Sequence, residues 1–146
     1  MLGLVILGMH GCKKEDEGCG ATNISAHGRT DSHNAGRNCM SCHVDGGDGK
    51  GCFNVAGTVF NQSGASTAAN GTVRLYTGEN GTGDLRATIE VDARGNFHTT
   101  AGVDFSGGLY PVVANVSGTT KHMSDAITNG ACNGCHGAST DRITVQ

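Results

Sequence analysis

The chain reads as a mainly β protein, a small antiparallel β-sandwich flanked by irregular or short-helical segments that carry its cysteines. Three observations predict this. Between residues 53 and 116, short stretches alternate apolar and polar side chains and are separated by turns rich in Gly, Asn and Asp. Outside that window no helical or strand period is sustained. The composition is also poor material for a core. Of 146 residues, 36% are apolar and 4% aromatic, with 25 Gly and no Trp. A chain of this kind needs covalent staples or a bound apolar group to fold stably.

Residues 1–12 read as an export signal. Leu2 to Met9 is an apolar run too short to span a bilayer, which takes roughly 20 residues. Cys12, directly after Gly11, resembles the lipidated cysteine of a bacterial lipoprotein and marks a lipid anchor to the membrane. Residues 13–52 read as a polar tether followed by a first cofactor-binding segment, rich in Gly and Cys and containing His27, His33 and His43. Its end, Val44 to Gly51, is turn chemistry.

Residues 53–116 form the expected sandwich. Val55, Gly57 and Val59 mark one strand, and Val73 and Leu75 a second. Leu85, Ala87, Ile89 and Val91 mark a third, with Asn96–Thr99 and Tyr110–Val116 completing the set. Residues 117–146 read as a second cofactor-binding segment. Ser124 is a suitable N-cap for a short helix ending at Gly130.

The formal net charge of -3, without a basic stripe, excludes a nucleic-acid partner. The seven cysteines divide without remainder. Cys39 pairs with Cys42 and Cys132 with Cys135, each as Cys-x-x-Cys, and Cys12 is the lipidation candidate. Counting alone then leaves Cys19 and Cys52 as a disulfide candidate, in keeping with an oxidising compartment.

The two pairs carry the chemistry. Cys39-Met40-Ser41-Cys42-His43 and Cys132-Asn133-Gly134-Cys135-His136 each match the Cys-x-x-Cys-His haem-attachment pattern. Two thiols three positions apart reach the two vinyl groups of one haem. The adjacent histidine then lies under the iron as its proximal ligand, here His43 and His136. A four-cysteine zinc site leaves the two histidines unexplained, and residues 43–131 between the pairs exceed zinc-ribbon spacing. A thioredoxin-like redox pair lacks its βαβ setting. The expected cofactors are therefore two haem c groups.

Candidates for the sixth iron ligand are His27, His33, His98, His122 and Met123. Met40 lies inside its own attachment loop. His98, beside Phe97 in a strand, is expected to face solvent, and His27 to be a loop residue. His33 lies shortly upstream of the first cysteine pair, and His122 and Met123 upstream of the second. Each is free to serve its own haem or the neighbouring one.

The stretches SHNAGRNCMSCH, VAGTV, GTVRLYT, DARGNF, GGLYPVV and MSDAITNGACNGCHG resemble small dihaem c-type cytochrome-like proteins of Gram-negative bacteria. The resemblance covers roughly residues 30–146. It implies a small β-sandwich between two haem sites, similar in its strands to the carboxypeptidase regulatory-like sandwich. It also implies His33 and the His122–Met123 pair as ligand positions, with Met123 favoured. A methionine ligand raises the reduction potential relative to two histidines. The function expected is single-electron transfer in the periplasm or at the cell surface, without bond chemistry. The partners expected are redox proteins and, in a self-assembling conduit, further copies of the chain. The alternatives are a dihaem enzyme, such as a peroxidase or small-molecule reductase, and a surface binding module with structural haems. An enzyme needs an open iron position, which carbon monoxide or cyanide reveals.

Overall fold

A computed structural model describes residues 18–146; the expected signal segment and Cys12 lie outside the described residues. The chain is mainly β, as its alternating pattern predicts, and its strands form two four-stranded sheets. In chain order the elements are β1 (Val55–Asn61), β2 (Thr72–Gly78), β3 (Thr82–Glu90), β4 (Asn96–Thr99), β5 (Tyr110–Ala114), β6 (Thr120–His122), β7 (Gly130–Ala131), α1 (Cys132–Cys135) and β8 (Ile143–Val145).

One sheet has the order β3-β2-β5-β6 and is antiparallel throughout. In the other, β4 pairs antiparallel with β1, while β7 and β8 both run parallel to β1. Alternation along the strands sends Val55, Val59, Val73, Leu75, Ile89, Phe97 and Val113 into the space between the sheets. There they pack with Val91, Leu109 and Val145 as one apolar core.

β1 departs from simple alternation, because residues 55–60 are all buried. Its second face, with Thr58 and Phe60, is covered by the irregular N-terminal segment. A Cβ on Gly36 would lie 3.4 Å from the Phe60 ring, and the Gly36 N–H donates to Thr58 Oγ1 at 2.8 Å. β1 is thus a spine with the core on one side and the first cysteine segment on the other.

The short helix expected from Ser124 to Gly130 does not form. Ile127 pairs with Leu109 by reciprocal backbone hydrogen bonds, and Gly130 and Ala131 pair with β1. Ile127 is the one large apolar residue in that stretch, and bridging to Leu109 half-buries it against the core without a helix. The segment 117–146 carries the second cysteine pair and also supplies three strands to the sheets.

Cys19 and Cys52 are joined in a disulfide with Cα atoms 4.5 Å apart. It ties the start of the described chain to the entrance of β1. Among the described residues no helix is long and apolar enough to cross a membrane.

Candidate functional site

The two cysteine pairs fold alike. Cys39–Ser41 forms one 3-10 turn, capped by Asn38, whose side chain accepts from the Met40 N–H at 3.2 Å. Cys132–Cys135 forms the single turn of α1. In both, the histidine N–H closes the turn on the carbonyl of the first cysteine, His43 to Cys39 at 3.0 Å and His136 to Cys132 at 2.9 Å. A helical turn places residues three and four apart on one side of the backbone.

The histidines also share a tautomer. His43 Nδ1 lies 3.0 Å from the Lys50 carbonyl, and His136 Nδ1 lies 2.6 Å from the Asp141 carbonyl. A carbonyl only accepts, so each Nδ1 is the donor, and in the neutral ring that tautomer leaves the lone pair on Nε2. This is the arrangement that orients an imidazole as a metal ligand. His27 and His98 differ, because both spend Nε2 inside the protein, on the Gly71 carbonyl at 2.8 Å and on Asn23 Oδ1 at 3.0 Å.

The His43 ring is tightly held. Phe53 stacks on it at 3.9 Å and 8°, and His98 stacks on Phe53 at 4.6 Å. The backbone of Gly49 comes so near that a Cβ there would fall 2.6–2.8 Å from three ring atoms. The turn 44–50 makes this approach by folding back, with the Gly49 N–H on the Cys42 carbonyl at 2.9 Å.

Beside the ring lies a cavity of about 390 Å³, lined among others by His33, Arg37, Cys39, Cys42, His43, Phe53 and His98. The volume falls within the roughly 300–1,000 Å³ of cofactor pockets. The His33 ring stands 6.1 Å from that of His43, centroid to centroid, and is tilted by 33°. It has no hydrogen-bond partner among the described residues.

His98 does not face open solvent, contrary to its expectation. It points away from the core, as alternation with the buried Phe97 requires, but that face of β4 is covered by Asn23, Ser25 and Phe53. Burial lowers its pKa, helped by His43 and His33 and opposed by Asp92 and Asp31. His27 is an exposed loop residue near Glu90, as expected.

The thiols are unequal. Cys42 and Cys135 are exposed. Burial raises the pKa of Cys39, and it pushes Cys132, packed against the core, up to about 12. Gly57 makes room for Cys132, since a Cβ there would meet the Phe97 ring at 2.5 Å and the Cys132 Cβ at 3.0 Å. Among the described residues no three His, Cys, Asp or Glu side chains converge to hold a metal ion, so the two pairs do not assemble a four-cysteine site.

His122 and Met123 lie elsewhere than the first cavity. His122 is exposed on the edge strand β6, near Gly81. Met123 is half-buried, and its N–H donates to the Pro111 carbonyl at 3.0 Å.

Sequence reasoning missed three buried polar residues, Thr58, Asn96 and Asn133. Asn133 accepts from the Thr58 N–H at 3.1 Å and donates to Thr58 Oγ1 at 3.0 Å and to the Arg37 carbonyl at 2.9 Å. Cysteine pairs far apart in sequence therefore adjoin across β1. Comparison with protein-family models, with curated proteins and with solved structures finds no match to this chain.

Proposed function

We propose that the chain is an exported electron carrier with two covalently attached haems, one on Cys39, Cys42 and His43 and one on Cys132, Cys135 and His136. The observation that carries this reading is the repeated local geometry. Each Cys-x-x-Cys-His unit carries two cysteines on one turn and a histidine whose Nδ1 lies on a backbone carbonyl, with Nε2 given no protein partner among the described residues. When bound, haem supplies a one-electron couple at its iron.

At the first site His33 is proposed as the sixth ligand. Two metal–imidazole bonds of roughly 2 Å, plus about 1 Å from each nitrogen to its ring centre, put two such rings about 6 Å apart. The 6.1 Å between His33 and His43 agrees. Arg37, in the same cavity wall and without an ion pair among the described residues, would be the cation for a haem propionate. At the second site Met123 and His122 remain the two candidates. The Cys19–Cys52 disulfide supports an oxidising compartment, and with it export.

The test is haem counted per chain after expression with covalent maturation, with optical spectra of both oxidation states. Two haems with low-spin spectra are expected. A methionine-to-iron band at the red edge assigns Met123, and its absence assigns His122. A folded chain without covalent haem defeats the proposal, and carbon monoxide bound by the wild-type protein favours the enzyme reading.

A further inference from the structure

We propose that Asn133, the residue after the first cysteine of the second attachment motif, is a positioning residue for the first site. It holds the strap that carries His33. The inference rests on the dihaem reading and deepens it.

The strap, residues 32–37, contains no regular element, and its rigidity comes from three buried side chains of the sandwich and α1. Thr58 is fully buried, Asn96 is 2% exposed and Asn133 is 5% exposed. Asn96 Nδ2 donates to Ser32 Oγ at 2.9 Å and to the His33 carbonyl at 3.3 Å. Thr58 Oγ1 accepts from the Gly36 N–H at 2.8 Å and donates to Asn96 Oδ1 at 2.7 Å. Asn133 completes the chain by donating to the Arg37 carbonyl and to Thr58 Oγ1.

The strap is therefore gripped at Ser32, His33, Gly36 and Arg37, on both sides of the ligand. The donors and acceptors interlock with one solution. Thr58 has one hydroxyl proton, given to Asn96, so it accepts from both Gly36 and Asn133. Asn96 and Asn133 each bridge Thr58 and the strap, and of the two only Asn133 belongs to a cysteine motif. Among the described residues no buried side-chain polar atom is left without a partner, so replacing any member strands another. A residue inside one attachment motif thus sets the register of the ligand belonging to the other.

The experiment uses the full chain with Asn133→Leu, Thr58→Val and Thr58→Ser. Val113→Ala is the control, because it opens the core without touching the network. Two readouts are taken well below the melting temperature, amide hydrogen exchange at Gly36 and carbon monoxide bound per reduced chain. In Asn133→Leu and Thr58→Val, Gly36 exchange is expected to rise about fivefold or more, the loss of one typical hydrogen bond. One carbon monoxide per chain is expected to bind as His33 releases, with two haems retained. Wild type, Thr58→Ser and Val113→Ala are expected to bind none. An Asn133→Leu chain with two haems, no carbon monoxide binding and wild-type Gly36 exchange overturns the inference. If neither large variant folds, Asn133→Ala, which removes the same amide without added bulk, gives the same decision: carbon monoxide binding above wild type supports it and none overturns it. A wild-type chain without covalent haem defeats the dihaem reading instead, and the exchange rates alone then decide whether Asn133 holds the strap.

Discussion

Gly49→Ala isolates the packing around the His43 ring. Gly49 has no positive φ, so alanine is tolerated by the backbone and the cost is steric. The new Cβ falls 2.6, 2.7 and 2.8 Å from His43 Cγ, Nδ1 and Cδ2. Carbon contacts relax near 3.5 Å, so the ring must retreat by about 0.8 Å. It has nowhere easy to go. Its Nδ1 is tied to Lys50, Phe53 is stacked at 3.9 Å, and Phe53 leans in turn on His98. Overpacking of this kind costs about 1–3 kcal/mol. With urea slopes of about 1–3 kcal/mol/M, the unfolding midpoint should fall by about 1 M. The assay is equilibrium urea unfolding with the disulfide intact. Gly102→Ala, where a Cβ meets nothing within 4 Å, serves as the control and should stay within about 0.5 kcal/mol of wild type. A Gly49→Ala chain as stable as that control refutes the reasoning.

Replacing Cys19 and Cys52 together by serine opens a loop spanning 33 positions and should cost about 3–4 kcal/mol, read from the same urea curves. In the haem-free chain, alkylation at pH 8 followed by mass spectrometry should label Cys42 and Cys135 first. Cys132, with its pKa near 12, should label about a thousandfold more slowly than an ordinary thiol, and equal labelling of Cys132 and Cys135 contradicts its burial. His98 is lowered from 6.5 in the folded state, so the unfolded chain takes up its proton first as pH falls. His98 should therefore contribute stability above about pH 6.5 that is lost as pH drops through its folded value. His98→Gln should flatten that part of the stability–pH curve; an unchanged slope counts against it. Gly130→Ala places a Cβ 2.0 Å from the Asn54 carbonyl, which cannot yield without parting β7 from β1. Thermal unfolding should show a loss of about 1–3 kcal/mol.

Much of the sandwich is legible in the sequence because the signal is local. Val73 and Leu75, or Ala87 and Ile89, show their alternation within a few residues, whereas Leu85 is exposed because a bulge in the β2–β3 pairing shifts its register. β7 and β8 carry no such pattern. They are two and three residues long, and their partner is β1, more than seventy residues earlier. The helix expected after Ser124 had a plausible cap and stop but no apolar stripe to bury, so a single bridge at Ile127 displaced it. At the site, the cysteine motifs are visible because their spacing is the chemistry. The Cys19–Cys52 pair was reachable by counting. The placement of His98 was half legible: parity gave its direction, but nothing local reveals that an irregular segment covers that face. Asn133, Thr58 and Asn96 are ordinary polar residues in sequence, and only tertiary contact distinguishes them.

The bond from Asn133 to Arg37 spans 96 residues. Loop-closure entropy makes such contacts late events in folding, and here the delay has a physical limit. Until residue 133 packs, the strap lacks its last anchor. The first cysteine segment therefore gains its last anchor only when the second packs beside it across β1.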